Sequence, residues 1–191
     1  MRTFLSALFL ICACNIVYAE EFTAKVIAVM DGDTVRVLRN GHSVKIRLAG
    51  IDAPEGAQEY GMASKQSLAE LVLRKQVRVN TQAKDKYGRL LGEVNVDGLN
   101  INHEQVRRGL AWVYSRFRSN KILLAMENEA KAAKRGLWAQ STPTPPWTWR
   151  KTHAATKPPQ AATQDATCGS KTRCAQMILA PKRIFTRRAA G

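Results

Sequence analysis

Five stretches rich in Val, Ile and Leu, with polar residues interleaved, lie at 23–30, 34–38, 43–51, 76–81 and 89–96. Each reads as a short, half-buried β-strand. Turn residues separate them: Asp31-Gly32-Asp33-Thr34, Asn40-Gly41, the 84–88 segment and Asp97-Gly98. Asn-Gly between apolar runs is a strong hairpin signal, because both positions tolerate positive φ. Three segments carry a helical period instead. The first, 57–75, puts Leu68, Leu71 and Val72 on one face and Lys65, Glu70 and Arg74 on the other. The second, 101–108, has Asn100 as a cap and Gly109 at the C-terminal stop. The third, 120–135, ends at Gly136 and carries Glu127 and Lys131 as an i,i+4 pair on its outer face. Leu137 and Trp138 are expected to pack back onto the strands. The pattern by itself predicts a small β barrel with helices.

Polar residues of interest collect where these strands end. In Arg47-Leu48-Ala49-Gly50-Ile51-Asp52-Ala53-Pro54-Glu55 the apolar positions continue a strand, Gly50 permits a bend, and Pro54 ends the ladder for want of an N–H. One cation and two carboxylates are thereby delivered to one place. Asp33 comes from the first turn, and Arg89 opens the strand that follows Asp85-Lys86-Tyr87-Gly88. Each residue has an ordinary reading when taken alone: Asp-Gly-Asp-Thr as a plain turn, Asp31 as its support, Arg47 as half of an ion pair, Glu55 as a helix cap. As a set, Asp33, Asp52 and Glu55 suit a hard cation such as Ca²⁺ or Mg²⁺, and Arg47 and Arg89 suit a phosphate held in a bidentate fork. Phosphodiester chemistry needs that combination.

Charge agrees with a polyanionic partner. Thirty Lys and Arg stand against fifteen Asp and Glu, for a net charge of +15, although a basic surface alone does not separate a nuclease from a ribosomal or membrane-surface protein. The first nineteen residues read as a signal peptide: Arg2, an apolar run from Phe4 to Cys14 too short to span a bilayer, and Val17-Tyr18-Ala19 as a cleavage site before Glu20. The expected product is secreted or periplasmic, with no membrane anchor once the signal is removed. That leaves Cys168 and Cys174, for which a disulfide is the natural reading in an oxidising compartment; zinc lacks further ligands at matching spacing. Beyond Gln140 prolines at 143, 145, 146, 158 and 159 sit among Thr, Ala and Lys, which predicts an extended linker and a disordered basic tail. Trp147 and Trp149 within it either stack on bases or dock on the barrel.

In order and spacing, Asp-Gly-Asp-Thr (31–34), Arg-Leu-Ala-Gly-Ile-Asp-Ala-Pro-Glu (47–55), Asp-Lys-Tyr-Gly-Arg (85–89) and Val-Arg-Arg-Gly-Leu-Ala (106–111) resemble the staphylococcal nuclease family. The resemblance covers about 23–138. It implies an α+β, mainly β fold, a five-stranded OB-type Greek-key barrel with about three packed helices. The expected organisation is a signal peptide at 1–19, a nuclease domain at 20–140, and at 141–191 a linker and tail. The tail begins a cysteine-containing module at 167–174 without completing it. The implied activity is Ca²⁺-dependent cleavage of single- and double-stranded DNA and of RNA by a monomer, with little sequence preference, leaving 3′-phosphates. Transferred position by position, Asp33, Asp52 and the backbone carbonyl of Ala53 hold the metal, Arg47 and Arg89 stabilise charge, and Glu55 handles the attacking water. Lys86 and Tyr87 match the family's phosphate-contacting turn. The tyrosines that relatives place after Gly-Leu-Ala fall here at Ser115 and Phe117, with Tyr114 close by to compensate, and the lysine-rich loop before the first helix is mostly absent. The alternative from a different class is an OB-fold protein that binds single-stranded nucleic acid and has lost catalysis.

Overall fold

The computed structural model describes residues 20–153, and within them alternate strand residues face one core. Strand β1 (Glu20–Asp31) pairs antiparallel with both β2 (Thr34–Arg39) and β5 (Gln76–Lys84). Register shifts between Val26 and Ala28 and between Val29 and Asp31 bend it so that one long strand serves both neighbours. β3 (His42–Leu48) follows β2 through Asn40 and Gly41, both at positive φ. β6 (Leu90–Val96) pairs antiparallel with β5 and parallel with β3, through Ile46–Leu90, Arg47–Leu91 and Leu48–Gly92. That last pairing closes the order β3-β2-β1-β5-β6 into the five-stranded barrel expected. Val26, Val35, Val37, Ile46, Val79 and Val94 are wholly buried inside it.

The third strand ends earlier than its apolar pattern predicts. Gly50 takes φ +80° and turns the chain out of the barrel. Ile51–Asp52 then forms a separate strand, β4, paired with β8 (Trp112–Val113). Asp52 therefore stands beside the barrel mouth on its own small ladder. A further short strand, β7 (Leu99–Asn100), extends the β6 edge.

Helix α1 (Gly61–Val72) starts later than expected, because residues 55–61 first wrap into tight turns in which Gln58 N–H donates to the Glu55 carbonyl and Gly61 N–H to the Gln58 carbonyl. Leu68, Leu71 and Val72 face the barrel. Helix α2 (Ile101–Arg107) is capped by Asn100, whose side chain accepts from His103 N–H at 3.1 Å. Helix α3 (Lys121–Ala132) is capped by Asn120. The Glu127–Lys131 pair forms at 2.6 Å, but Glu127 is wholly buried and not on an outer face. Its other oxygen accepts the Val113 N–H at 2.9 Å, so the side chain completes the β8 ladder. Leu137 and Trp138 join Ala130 in a small apolar cluster against Tyr60 and Trp112.

The segment after Gln140 departs from the linker reading. Pro146–Thr152 is a fourth helix, α4, with Pro146 in its first turn, where a missing N–H costs nothing. Trp147 packs edge-on against Trp112 and Tyr114, with ring centroids 5.7 and 6.5 Å apart. Gln58 Nε2 donates to the Thr144 carbonyl at 2.6 Å. Docking of the indole outweighs the freedom of a proline-rich chain. Residues 1–19, where a signal peptide is expected, and Cys168, Cys174 and the rest of 154–191 lie outside the described residues.

Candidate active site

Three backbone segments converge at one end of β3. The Leu48 N–H donates to the Asp33 carbonyl at 2.8 Å, which extends the β2–β3 ladder into the Asp31-Gly32-Asp33 turn. Asp33 Oδ2 accepts the Ala53 N–H at 2.9 Å, tying that turn to the chain just after β4. Asp31 supports the turn, its carboxylate accepting the Asp33 N–H at 3.2 Å. Gly32 is required by contact: a Cβ there would lie 1.9 Å from Ser64 Oγ and 2.7 Å from Ala53 Cβ. Its carbonyl accepts from Gln105 Nε2 at 2.8 Å, so α2 also grips the turn.

Arg47 bridges the two buried aspartates. It pairs with Asp33 through Nη1 and donates to Asp52 Oδ1 at 2.8 Å through Nη2. Burial works against a charged guanidinium, but Asp33 and Asp52 overcome it and hold Arg47 firmly protonated. For Asp33 burial again opposes the charge, and Arg47 with the Ala53 N–H wins, keeping its carboxyl below the usual range. Asp31 goes the other way, pushed up to about 7 by burial and by the charge on Asp33. Burial also raises Asp52, and the hydrogen bonds from Arg150 do not fully offset it.

Arg150, from α4, is the residue that sequence reasoning missed. Its guanidinium donates to Asp52 Oδ2 at 2.7 Å, to Asp52 Oδ1 at 3.2 Å and to Glu55 Oε1 at 2.8 Å. Glu55 is thereby drawn to the same cluster as Asp33, Arg47 and Asp52. The available signal was Pro-Trp-Thr-Trp-Arg, a helix start followed by an indole and, one turn on, a cation.

Arg89 does not join the cluster in this arrangement. Its Nε donates to Asp85 Oδ2 at 2.7 Å, while Asp85 Oδ1 accepts the N–H groups of Tyr87 and Arg89, each at 2.9 Å. It sits two residues before Leu91, which pairs with Arg47 across the parallel ladder. Tyr87 is 71% exposed, with Lys86 and Arg89 over its ring at 5.1 and 5.5 Å. Tyr114 donates its N–H to the Gly50 carbonyl and turns its ring toward Trp147.

The donor set at the cluster is oxygen only: carboxylates of Asp33, Asp52 and Glu55 and the peptide oxygens beside them. Among the described residues no three His, Cys, Asp or Glu side chains form a ready-made metal cage. Two aspartates and a carbonyl leave most coordination places to water and substrate, as hard divalent cations allow. The residues present fit such an ion.

Residues 45–140 match the family model described as staphylococcal nuclease homologue. The chain belongs to the staphylococcal nuclease family. An "uncharacterized endonuclease" of Escherichia coli O157:H7 is 44% identical over 135 residues, covering 70% of this chain and 88% of its own. A protein of the same description from Haemophilus influenzae is 42% identical over 133 residues, 69% of this chain and 75% of its own. A "micrococcal nuclease" of Shigella flexneri is 36% identical over 142 residues, 69% and 82%. A staphylococcal nuclease homologue is a hydrolase acting on nucleic acid, and of the cluster at the end of β3 the residues Arg47, Asp52 and Glu55 lie inside the matched segment, Asp33 and Arg150 outside it.

Proposed function

We propose that the protein is a Ca²⁺-dependent nuclease that hydrolyses DNA and RNA with little sequence preference and leaves 3′-phosphates, acting after export. The observation that carries the reading is Arg47 bonded at once to Asp33 and Asp52, beside Glu55. Asp33, Asp52 and the Ala53 carbonyl would hold the calcium ion. When bound, calcium supplies Lewis-acid neutralisation of the phosphate charge.

Hydrolysis of a phosphodiester builds negative charge on the equatorial oxygens, and donors fixed in advance stabilise that charge more than the ground state. Arg47 is held by its two aspartates, and the N–H groups they do not take are available to a phosphate. Arg89 reaches the phosphate by exchanging Asp85 for it, an even trade of one charge-assisted bond for another. Glu55, 39% exposed at its side chain, orients a water and accepts its proton. Lys86, Tyr87 and Tyr114 line the strand's approach, with the exposed Tyr87 ring offering a face for a base.

The test is digestion of heat-denatured DNA and of RNA by the purified protein with Ca²⁺, with Mg²⁺ and with EDTA, beside Asp52→Asn. Fragments that need calcium and disappear in Asp52→Asn are expected. A folded protein that binds DNA and releases no fragments under any condition belongs instead to the single-strand-binding reading.

A further inference from the structure

The seven residues of α4 carry an anchor and a cation one turn apart. Trp147 seats on Trp112 and Tyr114, and Arg150, three positions later, lies on the acidic cluster. Gln58 fixes the approach of the chain by its bond to the Thr144 carbonyl. A surface arginine with an adjustable stem would find many partners; this one spans the carboxylates of Asp52 and Glu55. Together Arg47 and Arg150 occupy both oxygens of Asp52.

We infer that Arg150 is a built-in competitor of the divalent cation, a guanidinium whose contacts with Asp52 and Glu55 have to be given up when the metal binds. This rests on the reading that Asp33 and Asp52 hold calcium. The physical argument is occupancy and charge. A calcium ion bonds carboxylate oxygens directly at 2.3–2.6 Å, and a guanidinium at 2.7 Å from the same Asp52 oxygen repels it and takes up one of that oxygen's lone pairs. The Arg150 side chain is 42% exposed and on a short helix, so it can leave without opening the barrel. Asp52 is wholly buried and cannot follow. The contact makes the free acidic site tolerable and sets a threshold of calcium below which it stays closed.

The experiment is a calorimetric calcium titration of the full chain, wild type against Arg150→Ala, Arg150→Gln and Asp33→Asn, each first shown to be folded by circular dichroism. Intrinsic tryptophan emission is followed in parallel. Removing a partly exposed competing charge is expected to tighten calcium binding about tenfold in both Arg150 variants, in the range of a charge-assisted contact. Wild-type emission is expected to change on calcium addition as Trp147 and Trp149 move with the helix, and Asp33→Asn is expected to bind no calcium. Equal or weaker calcium binding in both Arg150 variants, with binding still lost in Asp33→Asn, overturns the competition and leaves the metal reading intact. No calcium binding by any folded form overturns the metal reading itself, and the competition with it.

Discussion

Asn102, buried in the first turn of α2, donates its side-chain N–H to the carbonyl of Ala49 at 2.8 Å, across 53 residues of sequence. The same amide donates to the Gly92 carbonyl at 3.2 Å and accepts the Val94 N–H at 3.1 Å. One side chain therefore pins the place where the chain leaves β3 for Asp52 to the edge of β6. Substitution by Leu keeps the volume and strands at least the Val94 N–H and the Ala49 carbonyl without partners in a dry interior. Asn102→Leu is expected to lower stability by about 2–4 kcal/mol, from two buried backbone groups left unsatisfied, read by urea denaturation. A loss below ~1 kcal/mol would mean that water or a shifted strand had replaced the amide.

Arg47 and Arg89 separate by burial. The Arg47 side chain is 16% exposed and stands between two aspartates that have almost no contact with solvent. Removing it leaves those carboxylates facing each other with only Arg150 nearby. Arg47→Ala is expected to cost about 3 kcal/mol in EDTA, as for breaking a buried ion pair, and to cut turnover by roughly 10²–10³. Calcium should recover part of the stability and none of the turnover, which thermal melts with and without the ion would show together with a digestion assay.

For Arg89 the loss should fall on activity alone. Its ion pair with Asp85 is part-exposed, and the turn it closes is held independently by the Asp85 side chain on the Tyr87 N–H and by Gly88 N–H on the Asp85 carbonyl. Arg89→Ala is expected to change stability by less than about 1 kcal/mol, the usual range for such pairs, while turnover drops by roughly 10²-fold. A near wild-type rate would take Arg89 out of the reaction.

How far this was readable from the sequence differs by element. The five barrel strands announce themselves because their inward residues recur every second position and the Asn40-Gly41 and Asp97-Gly98 turns fix where two of them reverse. Two caps, Asn100 and Asn120, are equally local. The break at Gly50 is not local: Ile51 and Asp52 leave the barrel because Trp112 and Val113, sixty residues on, offer a ladder. Glu127 read as an outer-face residue from its lysine four places later, whereas the N–H it satisfies belongs to another element. Arg150 sat in a proline-rich segment whose composition suggests a linker, and only the tertiary fit of Trp147 turns that segment into a helix over the site. Motif residues were visible; what grips them from a distance was not.

Glu104 provides a pH signature away from the site. Only 5% exposed, it accepts from Arg107 Nε and Nη2 and from Arg108 Nε, all at 2.8 Å. Burial opposes its charge, but the two guanidiniums outweigh burial and hold its carboxyl below the usual range. A carboxyl depressed on folding contributes stability that is complete above its unfolded value near 4.3 and vanishes as pH falls through the lower folded value. Glu104→Gln is therefore expected to be less stable than wild type by about 1.5–3 kcal/mol at pH 7, the range for a hydrogen bond to a charged group. The difference should hold down to about pH 5 and close below about pH 4. Urea denaturation of both proteins at pH 7, 5, 4 and 3 traces the gap. A gap that persists unchanged at the lowest pH would assign Glu104 a packing role in α2 with no contribution from its ionised form.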